Sequence, residues 1–221
     1  MDSHLKTELS SNTVIVFDFD GTIADSFGTV IKIMGELSNN PTFKNIEPGE
    51  QMEQLRNEGI RKLTKTGNIV TMAQLPFWVR RFRQELNNKL STINPIKEMP
   101  EVINSLKKKY KIAVISSNAK ENIDIFLKSN GINVDYIYSG SSIFGKSKVI
   151  NKFIKKEKLN RKDIIYVGDE DRDIEAAHKS NIFSIAVSWG YNSEKVLMEA
   201  SPDILMKSPG ELINFFNPNG Y

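Results

Sequence analysis

Six short apolar runs rich in β-branched residues, each separated from the next by a helical stretch, constrain this chain more than any other feature. They cover residues 13–19, 112–116, 135–139, 164–168, 183–187 and 203–205. Most are continuously apolar rather than alternating, the pattern of strands covered on both faces in a parallel sheet. Helical periodicity falls between them, at 100–109, 121–129, 146–158, 173–179 and 194–200, and after the last, at 211–216. Strand and helix in alternation predict an α/β fold, a doubly wound, Rossmann-like parallel sheet with helices on both faces.

The rhythm fails once. Residues 25–98 contain no convincing strand and far exceed an ordinary crossover, so they are expected to form an inserted helical domain, with residues 1–24 and 99–221 making the α/β core. Val30, Ile33, Met34 and Leu37 share one helical face, as do Leu75, Trp78, Val79, Phe82 and Leu86, with Arg80, Arg81 and Arg83 on other faces. Between these helices, Met52, Leu55, Ile60 and Leu63 form a less regular apolar set that Gly59 interrupts. Trp78, Phe82 and Met72 are expected in the core of the insertion.

Composition narrows the chemistry. Of 221 residues, 39% are hydrophobic and 26% charged, near the globular average, and Lys plus Arg exceed Asp plus Glu by 30 to 27. A net charge of +3 does not call for nucleic acid or a membrane surface as a partner. No cysteine is present, which excludes disulfides, thiolate nucleophiles and Cys-ligated metals. The polar start, residues 1–12, and the lack of a long apolar run predict neither a signal peptide nor an anchor, and a cytoplasmic protein is the expectation.

In open α/β sheets, ligands bind beyond the carboxyl ends of the strands, and the polar residues gather there. The first run ends in Asp18-Phe19-Asp20-Gly21-Thr22, the second in Ser116-Ser117-Asn118, and the fourth in Gly168-Asp169-Glu170-Asp171-Arg172-Asp173, while Lys146 opens the helix after the third. Two carboxylates at one strand tip repel each other unless a proton or cation intervenes. A hard divalent cation such as Mg2+, which takes oxygen ligands, resolves the repulsion. Thr22, Ser116 and Lys146 suit phosphate oxygens as hydroxyl donors and a point cation.

In this order the motifs resemble those of the haloacid dehalogenase superfamily of Asp-nucleophile phosphohydrolases. Asp18-Phe19-Asp20-Gly21-Thr22 is similar to its first motif, Ser116 to the second, Lys146 to the third, and Gly168-Asp169 with Asp173 to the fourth. The insertion stands where the superfamily's first cap class carries its helical cap. Trp189-Gly190-Tyr191 and Ser201-Pro202-Asp203 resemble the phosphoglycolate-phosphatase-like branch.

The resemblance implies Asp18 as nucleophile and Asp20 as general acid and base. It implies Mg2+ held by Asp18, the Asp20 carbonyl, Asp169 and Asp173, with Ser116 and Lys146 on the phosphoryl group of a small phosphorylated metabolite. Alternatives stay open at three places: Ser117 or Asn118 for Ser116, Lys148 for Lys146, and Asp171 for Asp173. Arg56, Arg61 and Lys65 offer positive charge to an acidic substrate, or simply form an exposed face. His4 and His178 are expected at the surface.

Rival classes make different demands. Gly140 to Ser147 satisfies the Walker A pattern and lies between a strand and a helix, but a nucleotide-binding reading leaves Asp18, Asp20 and the insertion without a role. A phosphomutase would use the same aspartates. A non-catalytic binding protein on this fold would not require every motif position to be filled.

Overall fold

The computed structural model describes residues 9–37, 50–58, 75–140 and 145–217. All six strand expectations are met. β1 (Val14–Phe17), β2 (Lys111–Ser116), β3 (Tyr136–Ser139), β4 (Ile164–Gly168), β5 (Phe183–Val187) and β6 (Ile204–Met206) form one sheet in the order β3-β2-β1-β4-β5-β6. Every pairing is parallel, and Phe17 stands opposite Val114 on one side and Val167 on the other. The expected first strand ends early because the chain turns at Phe19, whose carbonyl accepts from Ile23 and Ala24 N–H.

Side-chain alternation divides the core in two. Ile15, Phe17, Ile112, Val114, Ile165 and Val167 face α4 (Met99–Leu106), α5 (Lys120–Ser129) and the last helix, α9 (Pro209–Phe216). Val14, Val16, Ala113, Ile115, Ile164 and Tyr166 face α6 (Lys146–Lys156) and α7 (Asp171–Lys179). A strand buried on both faces has no polar side to display, which explains the continuous apolar runs. A smaller cluster under α8 (Glu194–Glu199) joins Leu197 to Ile174 and Ala186.

Among the described residues, α1 (Phe27–Leu37), α2 (Glu50–Glu58) and α3 (Leu75–Lys89) lie between β1 and α4. Val30, Ile33 and Met34 of α1 and Leu86 of α3 are buried, Leu37 and Phe82 pack beside them, and Arg80, Arg81 and Arg83 are exposed, as the periodicity predicts. Leu55 of α2 is buried, with Met52 packed against the same cluster. The two chain crossings into this helical stretch run side by side, with Asp25 N–H donating to Asn94 O and Ile96 N–H to Ile23 O. Gly59, Ile60, Arg61, Leu63, Lys65, Met72 and His4, and the side chains of Leu75, Trp78 and Val79, lie outside what is described. His178 is exposed on α7.

The chain leaves β1 toward β2 and β3, then returns to place β4 on the other side of β1. This reversal makes the carboxyl ends of β1 and β4 the topological switch point, where such sheets open a crevice.

Candidate active site

Asp18 and Asp169 follow the adjacent ends of β1 and β4, and Asp173 reaches the same point from the first turn of α7. All three are buried, and one oxygen from each lies within 4.8 Å of the others. Lys146, at the start of α6, places its ammonium 2.9 Å from Asp18 Oδ1 and in contact with Asp173 Oδ1. It is itself only 7% exposed, whereas Lys148 is exposed on the same helix. Likewise Asp173 enters the cluster, and Asp171 stays partly exposed with its N–H donating to Asn192 Oδ1. The Walker-pattern lysine is thus held by two carboxylates.

Asp169 is gripped from several sides. Thr22 Oγ1 donates to its Oδ1 at 2.6 Å and Tyr191 N–H to its Oδ2 at 2.7 Å. Thr22 was expected at a phosphate oxygen; its single proton goes to Asp169 instead, because a buried carboxylate without donors is strongly disfavoured. Gly21, at φ +81°, and Gly190 pack directly on this carboxylate: a Cβ on either would stand 2.2 Å from Asp169 Oδ2. Sequence reading gave Trp189, Gly190 and Tyr191 only a family likeness. In the structure the Trp189 indole donates to Thr22 O at 3.2 Å, so this loop braces both the β1 turn and Asp169. Asp203, from the other weak likeness, accepts from Ser184 N–H and Oγ and ties the end of the sheet.

Ser116 is buried at the end of β2, and its Oγ accepts from Asn118 N–H at 3.0 Å, which leaves its own proton available to an anion. Ser117 is partly exposed. Asp20 is partly buried just past β1, with Oδ1 sealed from solvent and without a hydrogen-bond partner among the described residues. Glu170 and Arg172 form an ion pair beside the cluster that the sequence did not single out. Arg56 of α2 donates to Ser188 O, and Ser193 N–H donates to Arg56 O at 3.1 Å.

Electrostatics set the acids against their own burial. Burial pushes the Asp18 carboxyl up to about 7, with Lys146 opposing the rise and Asp173 adding to it. Asp169 is held well above the usual carboxylate range by burial and then by the charges of Glu170, Asp18 and Asp173. Asp20 is raised by burial, against a Ser26 hydrogen bond that favours its charge. Burial alone would lower Lys146, but Asp173 and Asp18 keep it well above its ordinary value, and therefore charged. Three buried carboxylates gathered at one point, two of them pushed toward protonation and all offering oxygen donors, fit a hard divalent cation.

The chain matches the model of the haloacid dehalogenase-like hydrolase family over residues 15–187. It is 28% identical to a phosphoglycolate phosphatase of Synechococcus elongatus, covering 90% of this chain and 94% of that one. A phosphoglycolate phosphatase of Aquifex aeolicus is 25% identical over 92% and 96% of the two chains, and the pyrophosphatase PpaX of Oceanobacillus iheyensis is 22% identical over 90% and 94%. Among solved structures, a haloacid dehalogenase-like hydrolase from Streptococcus pneumoniae aligns with a TM-score of 0.72 at 21% identity, covering 94% and 99%. A hydrolase from Pseudomonas syringae gives 0.71 at 20% identity, covering 95% and 100%. These two structures share the fold.

Proposed function

The chain belongs to the haloacid dehalogenase-like hydrolases, and from that premise we propose a Mg2+-dependent phosphatase that hydrolyses a small phosphorylated metabolite, 2-phosphoglycolate first among candidates, through an aspartyl-phosphate on Asp18. The observation that carries this reading is the Lys146 ammonium bridging Asp18 and Asp173 inside the buried acidic cluster at the switch point.

Asp18 attacks phosphorus, and the bond to the leaving oxygen breaks with its electron pair staying on that oxygen, which takes the proton of Asp20. In the second step a water gives its proton to the Asp20 carboxylate and attacks phosphorus. The bond to Asp18 then breaks and its electron pair returns to the carboxylate. Ser116 donates to a phosphoryl oxygen, with Ser117 beside it. Lys146 offsets the repulsion between the incoming anion and Asp18. Asp18, Asp169, Asp173 and the Asp20 carbonyl would hold Mg2+, which when bound supplies positive charge to the transferring phosphoryl oxygens. Thr22, Tyr191 and the two glycines fix Asp169 for that duty. Residues 25–98 act as the cap, which excludes water over the substrate.

The test is phosphate release from 2-phosphoglycolate, other small organic phosphates, pyrophosphate, ATP and 4-nitrophenyl phosphate, with Mg2+ or EDTA, for wild type and Asp18→Asn. The proposal requires Mg2+-dependent release that vanishes in the variant, because the amide is nearly isosteric but not a nucleophile. Release that persists in Asp18→Asn overturns the nucleophile assignment, and preferential ATP hydrolysis that persists there supports the P-loop reading instead.

A further inference from the structure

Two polar atoms with opposite needs stand just past the ends of the adjacent strands β1 and β2. Asn118 Nδ2, a donor, and Asp20 Oδ1, an acceptor, are both buried and have no hydrogen-bond partner among the described residues. The Asn118 carboxamide is near enough to the Asp20 carboxylate to favour its charged form. A buried polar group left unpaired is disfavoured. A neighbouring donor and acceptor are together the complement of one oxygen that accepts from the first and exchanges a proton with the second.

The orientation of Asn118 follows from its neighbours. Ala119 N–H donates to Asn118 Oδ1 at 2.8 Å, and a backbone N–H cannot accept, so the atom facing it must be the oxygen. Asn122 Nδ2 donates to the same oxygen at 3.2 Å. The carboxamide nitrogen is therefore turned the other way. Asn122 spends its second amide hydrogen on Asn87 Oδ1, and Asn87 belongs to α3 in the helical insertion. A chain of three carboxamides thus runs from α3 through α5 to the acid/base group.

We propose that Asn118 is a further catalytic residue: its Nδ2 donates to the leaving-group oxygen in the first step and to the attacking water in the second, with Asn122 and Asn87 as positioning residues that link its aim to the placement of α3. In-line displacement puts both oxygens in the same place, so one donor serves both steps. The proposal rests on the phosphatase reading above and adds to it a residue, and a route by which the insertion reports its position to Asp20.

The test compares kcat/KM, which reports the first step, on 2-phosphoglycolate and 4-nitrophenyl phosphate. An alkoxide leaving group needs its charge relieved, whereas nitrophenolate does not, so a donor to that oxygen matters more for the first substrate. Asn118→Ser retains a side-chain oxygen for the Ala119 N–H while losing Nδ2. It is expected to lose about 10- to 100-fold in kcat/KM on 2-phosphoglycolate, near the lower end of what removal of one oxyanion-directed donor produces, and less than threefold on the aryl ester, with an unchanged melting temperature. Asn122→Ala and Asn87→Ala should shift the same ratio by smaller factors, and their double variant should do no worse than Asn122→Ala alone.

Equal losses on both substrates, or activity within twofold of wild type in Asn118→Ser, overturn the role of Asn118. An unchanged ratio in Asn122→Ala and Asn87→Ala overturns the link to α3. These outcomes presuppose wild-type phosphatase activity. Its absence across the substrate panel overturns the underlying reading together with this one.

Discussion

Asp169 shows at the scale of one residue how a buried acid is kept in place. Its two oxygens take Thr22 and Tyr191 as donors, and the backbones of Gly21 and Gly190 close on it without room for a methyl group. In Gly190→Ala the new Cβ would meet Asp169 Oδ2 at 2.2 Å and Asp169 Cβ at 2.3 Å, so the carboxylate must move. Overpacking of this kind destabilises by about 1–3 kcal/mol. Disturbing the support of a metal-ligating group typically weakens metal affinity by about 10- to 100-fold. Gly190→Ala is therefore expected to melt lower and to need correspondingly more Mg2+ for half-maximal phosphate release in a Mg2+ titration. The control is Gly28→Ala in α1, where a Cβ meets nothing within 4 Å. That substitution should stabilise by roughly 0.4–1 kcal/mol through the unfolded chain, leaving the Mg2+ requirement unchanged.

Among the elements, α2 is joined to the core through Arg56, whose guanidinium donates to Ser188 O while its carbonyl receives Ser193 N–H. Both bonds land on the loop that carries Gly190 and Tyr191, so α2 and the support of Asp169 are mechanically connected. Arg56→Ala should speed amide exchange in 50–58 and in 188–193 by an order of magnitude, since a charged hydrogen bond contributes about 1.5–3 kcal/mol. It should also lower kcat/KM in the same assays. Exchange unchanged in 188–193 would mean that the loop holds itself. Sequence reading reached the strands, because burial on both faces writes itself as continuous apolar runs, and helix ends moved by a few residues at most: α7 begins at Asp171 rather than 173 because Glu170 caps it. Strand and helix ends singled out Asp18, Asp169 and a choice between Asp171 and Asp173 and between Lys146 and Lys148; the family resemblance chose Asp173 and Lys146, which are the two that meet in the cluster. Arg56, Tyr191 and Asn118 stood out in the sequence, but the contacts they make were not legible, since those join distant segments and leave no local pattern. Thr22 was legible as a hydroxyl at the right turn, but which anion it serves depends on β4 lying beside β1.

On the scale of the whole molecule, a chain of net charge +3 concentrates buried acids at one end of its sheet, which makes its stability depend on pH in a defined direction. Asp18 ionises near 3.9 in an unfolded chain and is pushed up to about 7 in the fold. Between those values the folded protein binds more protons than the unfolded one, so stability is lost as pH rises through that window. Asp169 and Asp20 are raised as well and act in the same sense. Without divalent cation, the melting temperature is therefore expected to fall as pH is raised from 5 to 7.5. Mg2+ at about 100 times its dissociation constant should stabilise by about 2.7 kcal/mol, equivalent to roughly 5–10 °C for a chain of this size. The gain should be concentrated at pH 7.5, because at pH 5 a proton already occupies Asp18, and Asp169 is shifted in the same direction. Thermal melts at both pH values, with Mg2+ or EDTA, check this. An equal Mg2+ effect at pH 5 and 7.5 would place the ion away from Asp18, Asp169 and Asp173. Asp18→Asn should flatten the pH slope in EDTA, since the amide carries no proton to lose and removes one of the like charges crowding Asp169 and Asp173.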